Sequence, residues 1–542
     1  MPSLTRDDFI RLVEESRRVH RHATICVPIS LRVLSDQLTP VLAYRRLVAP
    51  DERTAPSFLL ESVEGGERQG RYSILGAQPS VEVTAFEHRV TIVNHRTGER
   101  TVDQYEDDPL AVLRERTRRH VLVTPPQSGS RPLLPACFLG GWVGFTGYDT
   151  VRYAEPSKLP FSSAPRDDRR LPDLHFGFYD AIVIFDHVQK VVYLVRLAQV
   201  HPNDPAAAVY DAAVADLRTL LGRIEKHSKP LPSGLMEASS PPPAPLPSNM
   251  TRQQHAAMLD RALEYIRAGD IFQVVLGQRF ERPSPADPFD VYRALRAVNP
   301  SPYMVYMQSP GCILIASSPE ILCRVRLVPG HTHEDGAPVY TVTNRPLAGT
   351  RRRGATPEED AALEQELLAD QKERAEHIML VDLGRNDVGQ VARPGSIELP
   401  VVMEVERYSH VMHISSTVTG TLRPGLDCWD ALRAALPVGT ISGAPKIRAM
   451  QIIDELEPLR RGPYGGGMGY VGLDGQMDIA LTLRTMVVPT AMRHGHVWMY
   501  HLQAAGGIVA DSQHEPEYME TVNKAAALAR AIDVAERAFG GR

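Results

Sequence analysis

Four glutamates in two distant stretches have a spacing that could do chemistry. Glu373 and Glu376 are three residues apart, and Glu517, Glu520 and Lys524 fall at i, i+3 and i+7, so each set shares one face of a helix. Leu528, Ile532 and Ala535 continue an apolar stripe on the second helix. Either set alone reads as a solvated helix face. Four carboxylates converging from two helices would instead suit a hard cation with oxygen ligands. Magnesium is such a cation, and it usually keeps waters and bridges to a substrate anion.

A second stretch, Pro437 to Gly472, combines a polar turn at Gly439-Thr440-Ile441-Ser442-Gly443 with Pro445 at the start of a helix. Ile447, Met450, Ile453 and Leu456 recur at helical spacing. A helix N-terminus beside small residues offers free N–H groups to an anion. The run Gly462 to Tyr470 holds many glycines, which permit close backbone approach. It is not a phosphate loop, since no Gly-Lys-Ser/Thr follows.

The elements that must position these groups belong to a chain of 542 residues, long enough for two domains. Its 43% hydrophobic and 23% charged residues are those of a globular protein, and its formal charge of −5 argues against nucleic-acid binding. No apolar run is long enough to span a bilayer, and the N-terminus lacks the apolar core of a secretory signal. Cys26, Cys137, Cys312, Cys323 and Cys428 are scattered without metal-site spacing, so they read as free thiols in a reducing cytoplasm.

Val81 to Phe86 and Arg89 to Val93 alternate as a hairpin; a second hairpin is predicted at 181–195, a glycine-rich strand at 138–145, and strands at Thr24 to Leu34, 271–276 and 312–316. Helices are predicted near 36–43, 205–224, 252–268 and 288–298, with a long acidic helix from Pro357 to about Leu380 and a last one from Pro516 to Phe539. Without βαβ alternation the fold class is α+β: antiparallel, sandwich-like sheets with helices packed outside. Residues 226–250 carry seven prolines and read as a linker, dividing an N-terminal half (1–240) from a C-terminal domain (251–542).

The glycine run, the turn with Thr440 and the two Glu pairs together resemble the anthranilate synthase component I family of chorismate-utilising enzymes, and the resemblance covers most of the chain. It implies that fold, with Glu376 and Glu520 as direct magnesium ligands and Glu373 and Glu517 acting through bound water. It implies that Arg484, Tyr464 and the backbone at Ala505, Gly506 and Gly507 hold the carboxylates of chorismate, a dianion, with Gly349, Thr350 and Thr440 alongside. The family often has Gly-Ala-Gly where this chain has Ala505-Gly506-Gly507. Lys524 is either a further charge partner or a solvated helix lysine. Glu320 matches the acid that protonates the departing ring hydroxyl, and His413 a histidine of the elimination and aromatisation steps.

Two positions bear on the nucleophile. Aminodeoxychorismate synthases carry a lysine where this chain has Ala348, and isochorismate and salicylate synthases carry one where it has Gln273. Neither residue can attack the ring or activate water, which points to ammonia adding directly. No cysteine-containing glutaminase elbow is present, so a separate glutamine amidotransferase subunit is implied as the ammonia source. The implied reaction is chorismate plus ammonia to anthranilate and pyruvate, the entry to tryptophan biosynthesis. The alternatives are aminodeoxychorismate synthase component I and a non-catalytic amino-acid sensor. Leu59-Leu60-Glu61-Ser62 and Asn299-Pro300-Ser301-Pro302-Tyr303-Met304 match the family's tryptophan feedback pocket, with Ser62, Pro302, Tyr303 and Met304 as its contacts. The Pro-Ser-Pro turn is expected to have backbone groups without strand partners.

Overall fold

Runs of β-branched and aromatic residues such as Leu174–Tyr179 and Val191–Val200 form strands buried along nearly their whole length, as strands covered on both faces must be. They assemble into two large sheets in the computed structural model, which describes residues 2–34, 36–48, 56–64, 68–105, 107–125, 133–226, 230–235, 245–408 and 411–540. Among the described residues, every pairing within the sheets is antiparallel except that of Thr24–Leu34 with His120–Leu122.

The sheets pack face to face. Phe58, Ile184 and Tyr193 of one meet Phe145 and Met468 of the other in a shared apolar layer. On the outer face of the first sheet lie helices Arg6–Val19, Ala206–Ile224, Pro288–Val298 and His514–Phe539, which contribute Phe9, Leu217, Leu295 and Ile532. Helices Gln371–Val391, Cys428–Ala435 and Lys446–Leu456 bury Val388, Leu432 and Ile453 in the second outer layer. This is the expected α+β sandwich. Among the described residues no helix is long and apolar enough to cross a membrane.

Of the linker, residues 227–229 and 236–244 lie outside the described residues. The stretches before and after it share both sheets. Tyr303–Ser309 pairs with Ser57–Glu61 in one, and Gly467–Gly472 with Gly141–Thr146 in the other. Each sheet therefore runs unbroken across the linker.

Two features differ from the sequence reading. The long acidic helix is two helices, Pro357–Ala369 and Gln371–Val391, because the Asp370 carboxylate accepts from the N–H groups of Lys372 and Glu373 and caps a new start. The helix placed at 36–43 runs Pro40–Leu47, capped by Thr39.

The feature that builds the site is a double crossing. Cys312–Ser318 lies in the first sheet and Ile321–Thr332 in the second, so the chain changes sheet at Pro319–Glu320. The neighbouring strands Met477–Leu481 and Thr485–Pro489 make the same change in reverse through Thr482–Arg484. Arg484 takes a left-handed φ of 44° at this bend, a conformation that only the surrounding packing can impose on an arginine.

Candidate active site

The two crossings bring Glu320 and Arg484 together. Glu320 is buried, and the Thr440 hydroxyl donates to its Oε1 at 3.0 Å. Burial pushes this carboxyl up to about 8, against the Thr440 hydrogen bond and the charge of Arg484. It is therefore protonated at neutral pH and has a proton to give. The polar turn predicted around Thr440 is one turn of helix, Gly439–Ser442. Leu383 packs so closely that a Cβ at Gly439 would stand 2.8 Å from its Cδ1.

Sequence reasoning missed the residue that anchors this turn. Arg461 is fully buried; it donates to the carbonyls of Ile441 and Val275, both at 2.7 Å, and pairs with Glu457. Its guanidinium also lies 4.7 Å from the ring centre of Tyr148 and 6.0 Å from that of Tyr464. No helical spacing signalled it, since the helix ends at Leu456 and Glu457 is its extended C-cap. Tyr464 is buried with its hydroxyl at the Ala505 backbone.

His413 is tied on both nitrogens. Nδ1 lies 2.9 Å from the Gly349 carbonyl and 3.1 Å from the Thr350 hydroxyl, and Nε2 lies 3.0 Å from Arg484 Nη2. A carbonyl only accepts, so Nδ1 carries the proton and Nε2 accepts from the guanidinium. Burial and the Arg484 charge hold this imidazole down to about 3, so it is neutral across the physiological range. Gly349 presents its carbonyl from a bulge, where the register between Ala348 and Thr350 slips and φ is 63°. Gly349 and Thr350, expected beside the substrate, are thus the residues that orient the histidine.

Glu376, Glu517 and Glu520 flank two neighbouring glycines, Gly506 and Gly507, and Glu373 faces Gly349. A Cβ built on Gly506 would lie 3.3 Å from Glu520 Oε2 and 3.4 Å from Glu517 Oε2. At Gly507 it would lie 3.3 Å from Glu376 Oε1, and at Gly349 the same distance from Glu373 Oε2. Burial raises the carboxyls of Glu373, Glu376 and Glu517, and the negative charge of Glu520 adds to each. Their present partners are protein groups: Gln273 Nε2 at 3.0 Å for Glu376, Arg351 at 3.3 Å for Glu373, Ser512 at 2.6 Å for Glu517 and Lys524 at 2.6 Å for Glu520.

The donor set is all carboxylate oxygen, which suits magnesium. Among the described residues no group of three or more His, Cys, Asp or Glu side chains stands ready to hold a metal ion unaided. Two direct carboxylates completed by water and a substrate anion do not require such a group.

Lys524 is more than a solvated helix lysine: it also donates to the Ala505 carbonyl at 2.9 Å. The strand Trp498–Ile508 pairs along its length with Gln273–Ser284, but its other edge meets Thr485–Pro489 only at Leu502 and His501. Ala505, Gly506 and Gly507 therefore have a strand partner on one side only; on the other, Lys524 and Tyr464 meet Ala505.

Ser62, Pro302, Tyr303 and Met304 all line a second place, a cavity of about 760 Å³ between the sheets. Met304 pairs with Glu61 across the strand ladder. The Tyr303 hydroxyl donates to Asp478 at 2.7 Å, and Arg324 and Arg326 neutralise that carboxylate at 3.0 and 2.6 Å. The Pro-Ser-Pro turn is not without partners, since the Ser301 carbonyl accepts from Val63 N–H at 3.2 Å.

Residues 55–530 match the chorismate binding enzyme family. The chain is 51% identical to the chloroplastic anthranilate synthase alpha subunit 1 of Arabidopsis thaliana, over 95% of this chain and 87% of that protein. It is 42% identical to anthranilate synthase component 1 of Pseudomonas aeruginosa, over 98% and 99% of the two chains. The crystal structure of anthranilate synthase component I from Streptococcus pneumoniae superposes with a TM-score of 0.68 at 35% identity, covering 92% of this chain and 99% of that one. The chain belongs to the chorismate binding enzyme family.

Proposed function

We propose that the protein converts chorismate and ammonia to anthranilate and pyruvate, as the large subunit of an anthranilate synthase. The observation that carries this reading is the buried, protonated Glu320 facing Arg484 and the neutral His413 at the sheet crossing, beside the Ala505–Gly507 strand edge and the four carboxylates. Arg484 and the N–H groups of the Ala505–Gly507 edge bind the substrate's carboxylates. Glu320, steadied by Thr440, gives its proton to the departing ring hydroxyl. His413, already an acceptor at Nε2, is poised to take a ring proton once the substrate displaces Arg484 from that nitrogen.

Glu376 and Glu520 would hold magnesium directly, with Glu373 and Glu517 acting through water. Bound there, it would neutralise carboxylate charge on the substrate. Ala348 has no atom to attack the ring, so ammonia adds without an enzyme-bound adduct, and a glutamine amidotransferase subunit would supply it. Tryptophan would inhibit from the inter-sheet cavity by favouring one arrangement of the molecule over another. Five unpaired cysteines favour a reducing compartment such as the cytoplasm.

The test is to incubate the protein with chorismate, ammonium and magnesium and identify the aromatic product. Anthranilate is expected, with no covalent adduct in intact-protein mass spectra. A 4-amino-4-deoxychorismate product would move the chain to the folate branch of the family, and no turnover would leave the amino-acid-sensing alternative.

A further inference from the structure

The inter-sheet cavity and the catalytic histidine meet at one side chain. Tyr408 lines the cavity and is buried, and its ring centre stands 5.7 Å from that of His413, inclined at 60°. It follows the strand Glu398–Arg407, whose hairpin partner Val411–Thr421 places Glu406 directly opposite His413. The Tyr408 hydroxyl donates to Glu406 at 2.8 Å, and Glu406 is paired with Arg345. Both of these also line the cavity. Arg345 in turn leads into the bulged strand whose Gly349 carbonyl and Thr350 hydroxyl hold His413 Nδ1. The imidazole is thus held at its edge by the strand that follows Arg345 of the cavity wall, and its ring packs at a tilt against Tyr408 of that wall.

We propose that Tyr408 is a positioning residue for His413, keeping Nε2 aimed at the reacting groups, and that a molecule in the cavity acts on the reaction by moving Tyr408. A tilt of the phenol lets the imidazole rotate about its Gly349 tether, so that Nε2 swings away from the direction in which Arg484 now holds it. The inference rests on the reading that His413 serves chorismate chemistry and that the cavity takes tryptophan.

The test uses the full chain with ¹⁵N-labelled histidine. Tyr408→Leu is expected to lower ammonia-dependent kcat about tenfold or more with the KM for chorismate within about twofold, and to move the His413 ring-nitrogen resonances. Tyr408→Phe, which keeps the ring, is expected to recover most of the lost kcat. L-tryptophan added to the unaltered protein should move the same resonances. Wild-type resonances and kcat in Tyr408→Leu would overturn the positioning role. Inhibition by tryptophan with unmoved His413 resonances would overturn the coupling. If the unaltered protein makes no anthranilate, or tryptophan does not inhibit it, the functional reading fails instead, and the ring-nitrogen resonances of Tyr408→Leu still decide the role of Tyr408.

Discussion

The carboxylate face and the inter-sheet cavity arrange their charges in opposite ways. In the cavity, Asp478 is matched by Arg324 and Arg326 and hydrogen-bonded by Tyr303, so its wall is electrically settled. On the carboxylate face, Glu373, Glu376 and Glu517 are raised by burial and by the charge of Glu520, with Lys524 and Arg351 as partial relief. A surplus of partly buried negative charge is tolerated when a cation arrives with the substrate; a neutralised wall selects a ligand by shape and hydrogen bonds. The first region should respond to charge changes and the second to volume changes.

The largest expected effect tests the charge surplus. Glu376→Gln or Glu520→Gln should each lower ammonia-dependent kcat/KM about a thousandfold, since several kcal/mol of charge stabilisation are removed. An unchanged circular dichroism spectrum and loss of the heat of magnesium binding would locate the defect at the site. Full turnover of either variant, or of the unaltered protein in a strong chelator, would break the comparison at its acidic end.

Glu320→Gln comes next, with a loss of about a hundredfold to a thousandfold, the range of a general acid. The same residue sets a pH limb. Its carboxyl is raised to about 8, and the protonated form is the active one, so activity stands below that value and is lost as pH rises through it. Above it, kcat/KM should fall about tenfold per pH unit, and this limb should vanish in the glutamine variant. His413, held down to about 3, should contribute no limb near neutrality, and a titration of its ring near 6.5 by NMR would contradict the tethering described here.

The smallest expected effect lies in the cavity. Ser62→Arg adds volume to its wall and should raise the tryptophan concentration for half-inhibition about tenfold or more, measured as initial rates with saturating ammonia. A parallel collapse of kcat would mean that the two regions cannot be separated in this way.

Local pattern was enough for several strands. Thr24–Leu34 stands where its apolar run put it, and the hairpin Val81–Phe86 with Arg89–Asn94 where period-2 alternation put it. It was also enough for the faces that carry Glu373 with Glu376 and Glu517 with Glu520, because a helix turns a spacing of three into adjacency regardless of context. The break at Asp370 escaped it, since a carboxylate that caps one helix also reads as an interior residue of a longer one.

Tertiary structure alone decided the rest. No periodicity encodes that two strands change sheets at the same level, and it is this that sets Glu320 against Arg484 and buries the glutamate. Burial, not residue type, turns Glu320 from an ordinary carboxylate into an acid, and the tether to Gly349 makes His413 an acceptor. Such properties depend on the dielectric and on partners dozens to hundreds of residues away, such as Thr440 for Glu320 and Gly349 for His413. A linear sequence lists those partners but does not place them.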